Sequence, residues 1–258
     1  MKLTGNTIFI TGGGSGIGRG LAEALHKLGN QVIISGRRKG HLADTVKANP
    51  GMQSIELDVA DPASIATVAK KLIGDYPKLN VLINNAGIMK MDDAGGHIDE
   101  NAMVSIITTN LMGPIRLTSA LIDHLKKQSS STVINVTSGL AFVPLAMTSV
   151  YCATKAAIHS YTLSQRYLLR GSSVRVLELA PPWVKTELMG ANDDPRQMPL
   201  QEFIDETMKV LGTDSDEILV ERVKILRNNV GPNENAFVTQ FNDMLAAQHP
   251  AHPEEVSA

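Results

Sequence analysis

Apolar residues along the chain fall into two alternating patterns. Short runs rich in β-branched and aliphatic residues recur at TIFIT (7–11), QVIIS (31–35), QSIEL (53–57), VLIN (81–84), STVINVT (131–137) and SVRVLEL (173–179). These runs are close to continuously apolar, the pattern of strands covered by helices on both faces. Between them, 16–29, 61–76, 98–127 and 150–171 carry apolar residues at helical spacing. The alternation predicts βαβ units and an α/β fold with a doubly wound parallel sheet. Asp61 followed by Pro62 marks a helix start, because the carboxylate accepts from orphan N–H groups and proline needs no partner there. Beyond Pro181 the rhythm weakens. Residues 183–258 hold helical stretches and one brief strand candidate, AFV (236–238), and HPAHPEEVSA (249–258) reads as a frayed tail.

Composition bounds the answer further. At 258 residues with 43% hydrophobic and 4% aromatic content, the chain fills one large core and reads as a single domain. Its 26 acidic and 24 basic residues nearly cancel, so no long-range field gathers nucleic acid or an anionic membrane, and small-molecule partners are expected. The lone Cys152 allows no internal disulfide. The N-terminus lacks a basic-then-apolar leader pattern, which fits a reducing cytoplasm. No apolar run approaches membrane-spanning length.

The strand TIFIT runs directly into TGGGSGIG, Thr11 to Gly18, and then a helix. Glycines at this point let backbone approach a pyrophosphate while the helix N-terminus attracts anions, so Gly12, Gly14, Ser15, Gly16, Ile17 and Gly18 are candidate dinucleotide contacts in a Rossmann fold. The spacing is G-x-x-x-G-x-G rather than G-x-G-x-x-G. An NAD-selective site places an acid about 20 residues on, at the end of the second strand. Here Arg37 and Arg38 stand there instead. Paired guanidiniums suit a 2′-phosphate, so NADP(H) is expected over NAD(H). Asp58, with Val59 beside it, follows the third strand and either accepts from an adenine amine or caps the strand end.

With the glycine spacing, Asn84-Asn85-Ala86-Gly87 after the fourth strand, Ser138 after the fifth and Tyr151-x-x-x-Lys155, the chain resembles the short-chain dehydrogenases/reductases over about residues 4–188. KLTGNTIFITGGGSGIG, GRR and LAPPWVKTEL most resemble a reductase subgroup named for D-alanine esterification of teichoic acids, a label that fixes no substrate. The resemblance implies a catalytic tetrad of Asn110, Ser138, Tyr151 and Lys155, a homodimer or homotetramer, and cofactor contacts from Asn85, Ala86, Gly87, Tyr151, Lys155, Pro181, Val184 and Thr186. The chemistry of the residues agrees. Reducing a carbonyl needs a proton for oxygen, and a phenol titrating near about 10 is expected to be acidified by an ammonium one helical turn away. Ser138 would hold the substrate oxygen. Asn110, a poor helix former within IITTNLMGPI, is expected to disrupt its helix and place a water beside Lys155.

The family's Pro-Gly after the sixth strand is Pro181-Pro182 here, which removes an N–H at 182. Trp183 is either a wall of the substrate pocket or simple packing. Residues 187–212 read as a lid whose Met198, Leu200, Phe203, Ile204 and Met208 face either substrate or core. Cys152 is expected as a core filler rather than a nucleophile, and His159 as packing or interface rather than a base. Lys90, Asp92 and Asp93 line a candidate substrate loop or are solvated. Together these features predict an NADP(H)-dependent interconversion of an apolar or mixed carbonyl compound with an alcohol, with Tyr151 as acid/base. An NADP-binding regulatory or scaffold protein without turnover, and an NADP-dependent epimerase or dehydratase, are the alternatives. Both long helices, 98–127 and 150–171, are apolar over more than one face, which also favours self-association.

Overall fold

The computed structural model describes residues 1–189, 194–229 and 231–246. The tail expected at 249–258 lies outside them. In chain order the elements are β1 (Thr7–Thr11), α1 (Gly16–Lys27), β2 (Gln31–Gly36), α2 (Lys39–Ala48), β3 (Gln53–Glu56), α3 (Pro62–Asp75) and β4 (Leu79–Asn84). There follow α4 (Glu100–Ile107), α5 (Gly113–Lys126), β5 (Ser131–Val136), α6 (Ser149–Leu169), β6 (Val174–Leu179), α7 (Leu200–Leu211), β7 (Glu217–Ile218), α8 (Glu221–Arg227) and α9 (Glu234–Ala246). The seven strands form one parallel sheet in the order β3-β2-β1-β4-β5-β6-β7. The chain winds outward from β1 to β3, then crosses back to lay β4 beside β1. The carboxyl ends of β1 and β4 therefore splay into the crevice where such sheets bind ligands.

The near-continuous apolar strands have a two-sided destination. Ile8 and Ile10 of β1 pack with α1 and α7, while Phe9 between them packs with α3 and α5. Val32, Ile33 and Ile34 of β2 divide the same way, as do Val81, Leu82 and Ile83 of β4. A strand buried on both faces has no polar side to show, which is why its sequence does not alternate. Asp61 caps α3 as expected, accepting from the Ala63 N–H at 2.9 Å. No helix among the described residues is long and apolar enough to cross a membrane.

The carboxyl-terminal segment departs from expectation at its strand candidate. AFV (236–238) lies inside α9; the last strand is instead the two-residue β7, too short to leave a pattern. The segment 98–127 is two helices joined by a π-turn at Thr108–Met112, the disruption expected at Asn110. Of the two alternatives for 187–212, Met198 and, on α7, Phe203 and Ile204 take the core one: all three are buried, and α7 lies against α1. Gly20 permits that contact, since a Cβ there would stand 2.8 Å from Ile204 Cγ1. Residues 190–193 of that segment lie outside the described residues.

Phe203 discriminates core from lid. Phe203→Ala is expected to lower stability by about 3–5 kcal/mol, read as a fall in the urea midpoint, whereas truncating an exposed lid residue would shift it within about 0.5 kcal/mol.

Candidate active site

The floor of the crevice is built by a close approach between the two loops that leave β1 and β4. Gly12 has φ +69°, and a Cβ on it would sit 2.9 Å from Asn85 Nδ2 and 3.0 Å from Ala86 Cα. A Cβ on Gly18 would collide with Asn85 Nδ2 and the Gly12 carbonyl. Two glycines of the turn are thus needed to seat Asn85, beyond any role toward a ligand. Asn85 Nδ2 donates to the Thr11 carbonyl at 2.9 Å, and Thr11 Oγ1 accepts from the Asn85 and Ala86 N–H groups, each at 3.0 Å. Sequence reasoning passed over Thr11; a hydroxyl at a strand's last position, level with an asparagine turn on the next strand, was the available signal.

From this floor a cleft of about 1270 Å³ extends both ways. Ligand sites usually measure about 300–1,000 Å³, so it has room for more than one molecule. One end holds the first turn of α1, with Gly14, Ser15, Gly16 and Ile17 lining the cleft, and the pair Arg37 and Arg38. Arg38 Nη2 donates to Ser15 Oγ at 2.6 Å, and its Nη1 to Glu187 Oε2 at 3.2 Å, while Arg37 is exposed at the rim. Asp58 accepts from the Ala60 N–H at 2.9 Å and with Val59 lines the cleft. A helix N-terminus flanked by guanidiniums, with backbone laid bare by glycine, fits a phosphorylated dinucleotide.

At the other end Ser138, Tyr151 and Lys155 converge. The Ser138 hydroxyl, anchored by the Leu140 N–H at 3.1 Å, lies within hydrogen-bonding reach of the Tyr151 phenol. Lys155 Nζ donates to the Val136 carbonyl at 2.8 Å and stands 5.6 Å from the Tyr151 ring centroid. Gly87 faces the same space; a Cβ there would lie 3.4 Å from Asn110 Oδ1 and 3.7 Å from Lys155 Nζ. Asn110 occupies the π-turn, so the expected helix disruption is present. Its side chain locks the loop after β4, accepting from the Ile88 N–H at 2.9 Å and donating to the Ile88 carbonyl at 2.8 Å and Thr154 Oγ1 at 3.3 Å.

The electrostatics differ from expectation. Burial pushes the Tyr151 phenol up to about 12, against a smaller downward pull from Ser138. Burial also brings the Lys155 ammonium down to about 8. The expected acidification of Tyr151 by Lys155 is not seen in these shifts: both groups are nearly sealed from water, and desolvation is the largest cause for each.

Several supports had no local signature. Asp92 accepts from the Ser149 N–H at 2.8 Å, the Ser149 hydroxyl at 2.5 Å and the Val150 N–H at 2.9 Å, so a loop carboxylate caps the helix bearing Tyr151. Asn84 donates to Thr118 Oγ1 and Asn135 Oδ1, and Asn135 donates in turn to Thr162 Oγ1 and Gln165 Oε1, a buried polar chain across α5, β4, β5 and α6. His159 pairs with the fully buried Glu178 at 2.8 Å, and Glu178 accepts from Thr137 Oγ1 beside Ser138. Cys152 is buried, burial raises its thiol, and its sulfur accepts from the Leu145 N–H at 3.3 Å, all as a core filler.

Pro181 and Val184 line the cleft after β6; the Pro181 carbonyl accepts from the Gly139 N–H at 2.8 Å. Val184 is buried and pairs with Met198, and Thr186 lies close enough to Gly16 that a Cβ there would be 3.4 Å from its methyl. Trp183 lines the cleft with the Arg196 guanidinium 5.2 Å from its ring.

The Lys155 shift carries a stability signature. Between about pH 8 and the ordinary lysine value the unfolded chain holds a proton that the native state has released, so stability rises with pH across that window. Wild type is expected to gain roughly 2 kcal/mol between about pH 7.5 and 9.5 by urea unfolding. In Lys155→Met that rise is absent.

A family model for short chain dehydrogenases matches residues 6–197. The chain is 40% identical over 248 residues to the uncharacterized oxidoreductase DltE of Bacillus subtilis, covering 94% of this chain and 98% of that protein. A Burkholderia cenocepacia short chain dehydrogenase solved in complex with NADP superposes with TM-score 0.82 at 27% identity, over 93% of this chain and 98% of that one. NADPH-bound carbonyl reductase from chicken fatty liver does so with TM-score 0.74 at 28% identity, over 82% and 92%. The glycine turn against Asn85, the convergence of Ser138, Tyr151 and Lys155, and these likenesses lead to one conclusion: the chain belongs to the short-chain dehydrogenase family of oxidoreductases.

Proposed function

We propose that the protein is an NADP(H)-dependent oxidoreductase interconverting a carbonyl compound and a secondary alcohol, working as a reductase. The observation that carries this reading is the single cleft that has a glycine-lined helix N-terminus with paired arginines at one end and Ser138, Tyr151 and Lys155 at the other. The nicotinamide cofactor, when bound, supplies or accepts the hydride. Backbone from Gly12 to Gly18 would hold its pyrophosphate, Arg37 and Arg38 its 2′-phosphate, and Val184 and Thr186 its nicotinamide end. Ser138 holds the substrate oxygen through its hydroxyl. Tyr151, with its phenol near 12, is protonated at neutral pH and is the acid that an oxygen gaining negative charge consumes. Lys155, near 8, is still largely cationic at pH 7, and its charge in a water-poor site favours the anion developing on that oxygen. Asn110 and Asp92 are positioning residues, holding the loop after β4 and the first turn of α6.

Incubation with NADPH and a panel of aldehydes, ketones and diketones tests the reading. Tyr151→Phe is expected to lower kcat by about 10²–10⁴-fold with cofactor binding retained. Absence of NADPH oxidation by wild type, or wild-type turnover in Tyr151→Phe, discards the enzymatic assignment. Arg38→Asp is expected to weaken NADPH by about 10–100-fold and NADH far less, since only the former has a 2′-phosphate to lose. Equal losses for both cofactors remove the NADP preference.

The reading includes a homodimer or homotetramer, supported by the exposed Val104 and Met112 around α4 and α5 and by Leu163, Tyr167 and Leu168 on α6. Light scattering at micromolar concentration is expected to give a multiple of the chain mass; a monomer sinks it.

A further inference from the structure

The cleft continues past Tyr151 to α9. Phe237, Phe241, Met244 and Leu245 of that helix line it opposite Met89, Leu140, Leu145 and Met147. Phe241 and Leu245 pack on the apolar cluster that contains Tyr151, Leu145 and Ile106, so α9 and the reactive phenol share one packed unit. Asn242 fastens this roof to the loop before α6. Asn242 Oδ1 accepts from the Ala146 N–H at 2.6 Å, and its Nδ2 donates to the Pro144 carbonyl at 3.0 Å and the Val238 carbonyl at 2.8 Å. The roof is thereby pinned to the segment between Ser138 and Tyr151.

Besides Lys155, which donates to the Val136 carbonyl beside Tyr151, two arginines reach this half of the cleft, and each of the two already faces a carboxylate. Arg196 is held by Asp194 and lies over Trp183; Arg222 stands 3.5 Å from Glu202. A carboxylate or phosphate entering here would shed its hydration among methionine, leucine and phenylalanine while competing for arginines whose charge is already balanced. An uncharged chain or ring gains from the same surroundings, about 25 cal/mol for each Å² it removes from water, and methionines adapt to its shape.

We infer that this half of the cleft takes an uncharged carbonyl compound with an extended apolar body, lying between Tyr151 and α9, and that Phe241 and Asn242 set that preference. Phe241 does so by contact and Asn242 by holding the roof in place. The inference rests on the reductase reading only for which end of the molecule meets Tyr151.

Trp183 is the sole tryptophan and lines this half, so its emission reports on what enters. The full-length protein is titrated with methyl ketones of increasing chain length and with the same ketones carrying a terminal carboxylate. Affinity for the neutral series is expected to rise by up to about fourfold per methylene. The carboxylates are expected to bind about tenfold weaker or worse at equal length. Phe241→Ala and Asn242→Ala are each expected to flatten the length dependence. A wild-type series with no length dependence, or carboxylates binding as tightly as the ketones, overturns the inference; variants that keep the full dependence overturn the roles of Phe241 and Asn242. NADPH oxidation on the same ketones is judged separately. Length-dependent binding without oxidation leaves this inference standing and discards the reductase reading, and oxidation without length dependence does the reverse.

Discussion

The structure turns on one contact at the middle of the sheet, where Asn85 sits in space that only glycine at 12 and 18 leaves open. That contact closes β1 against β4 at the point where strand order reverses, and it decides where the crevice lies. The Thr11 hydroxyl reinforces it from the strand side. Everything that follows in the cleft is positioned from this floor: Gly87 is carried toward Lys155, Ile88 reaches the Asn110 amide, and the same loop brings Asp92 onto the first turn of α6. A glycine-rich motif commonly read as a ligand cradle is here equally a packing requirement.

Burial then sets the character of the site. Tyr151 and Lys155 stand on one face of α6 as spacing demands, but their seclusion from water moves each toward its neutral form. The phenol is a strongly held acid, and the amine is a cation near the edge of its range. The arrangement links the site to the folding energy, since an ammonium kept out of water is a cost the native state bears.

The two faces of the carboxyl-terminal segment have divided labour. α7, amphipathic and rich in apolar side chains, went to the sheet and the groove at Gly20. α9, with a weaker apolar stripe, went to the cleft, where Asn242 ties it to Ala146. The helix whose apolar side chains are gathered on one face can bury that face without burying its polar side, so the less segregated one is left to cover a surface that a ligand can also occupy.

The six long strands, the glycine turn, the arginine pair and the Tyr151–Lys155 face were legible in the sequence, because each follows from the local periodicity of the backbone or from residue types a few positions apart. The helix break at Asn110 was legible for the same reason: asparagine competes locally for backbone hydrogen bonds. What tertiary structure decided was every relation across long separations: Asn85 against Gly12, Asp92 capping α6, Asn135 joining two helices, Asn242 pinning α9, and α7 facing core. It also decided the acid strengths, since desolvation depends on everything packed around a group, and spacing along one helix says nothing of that.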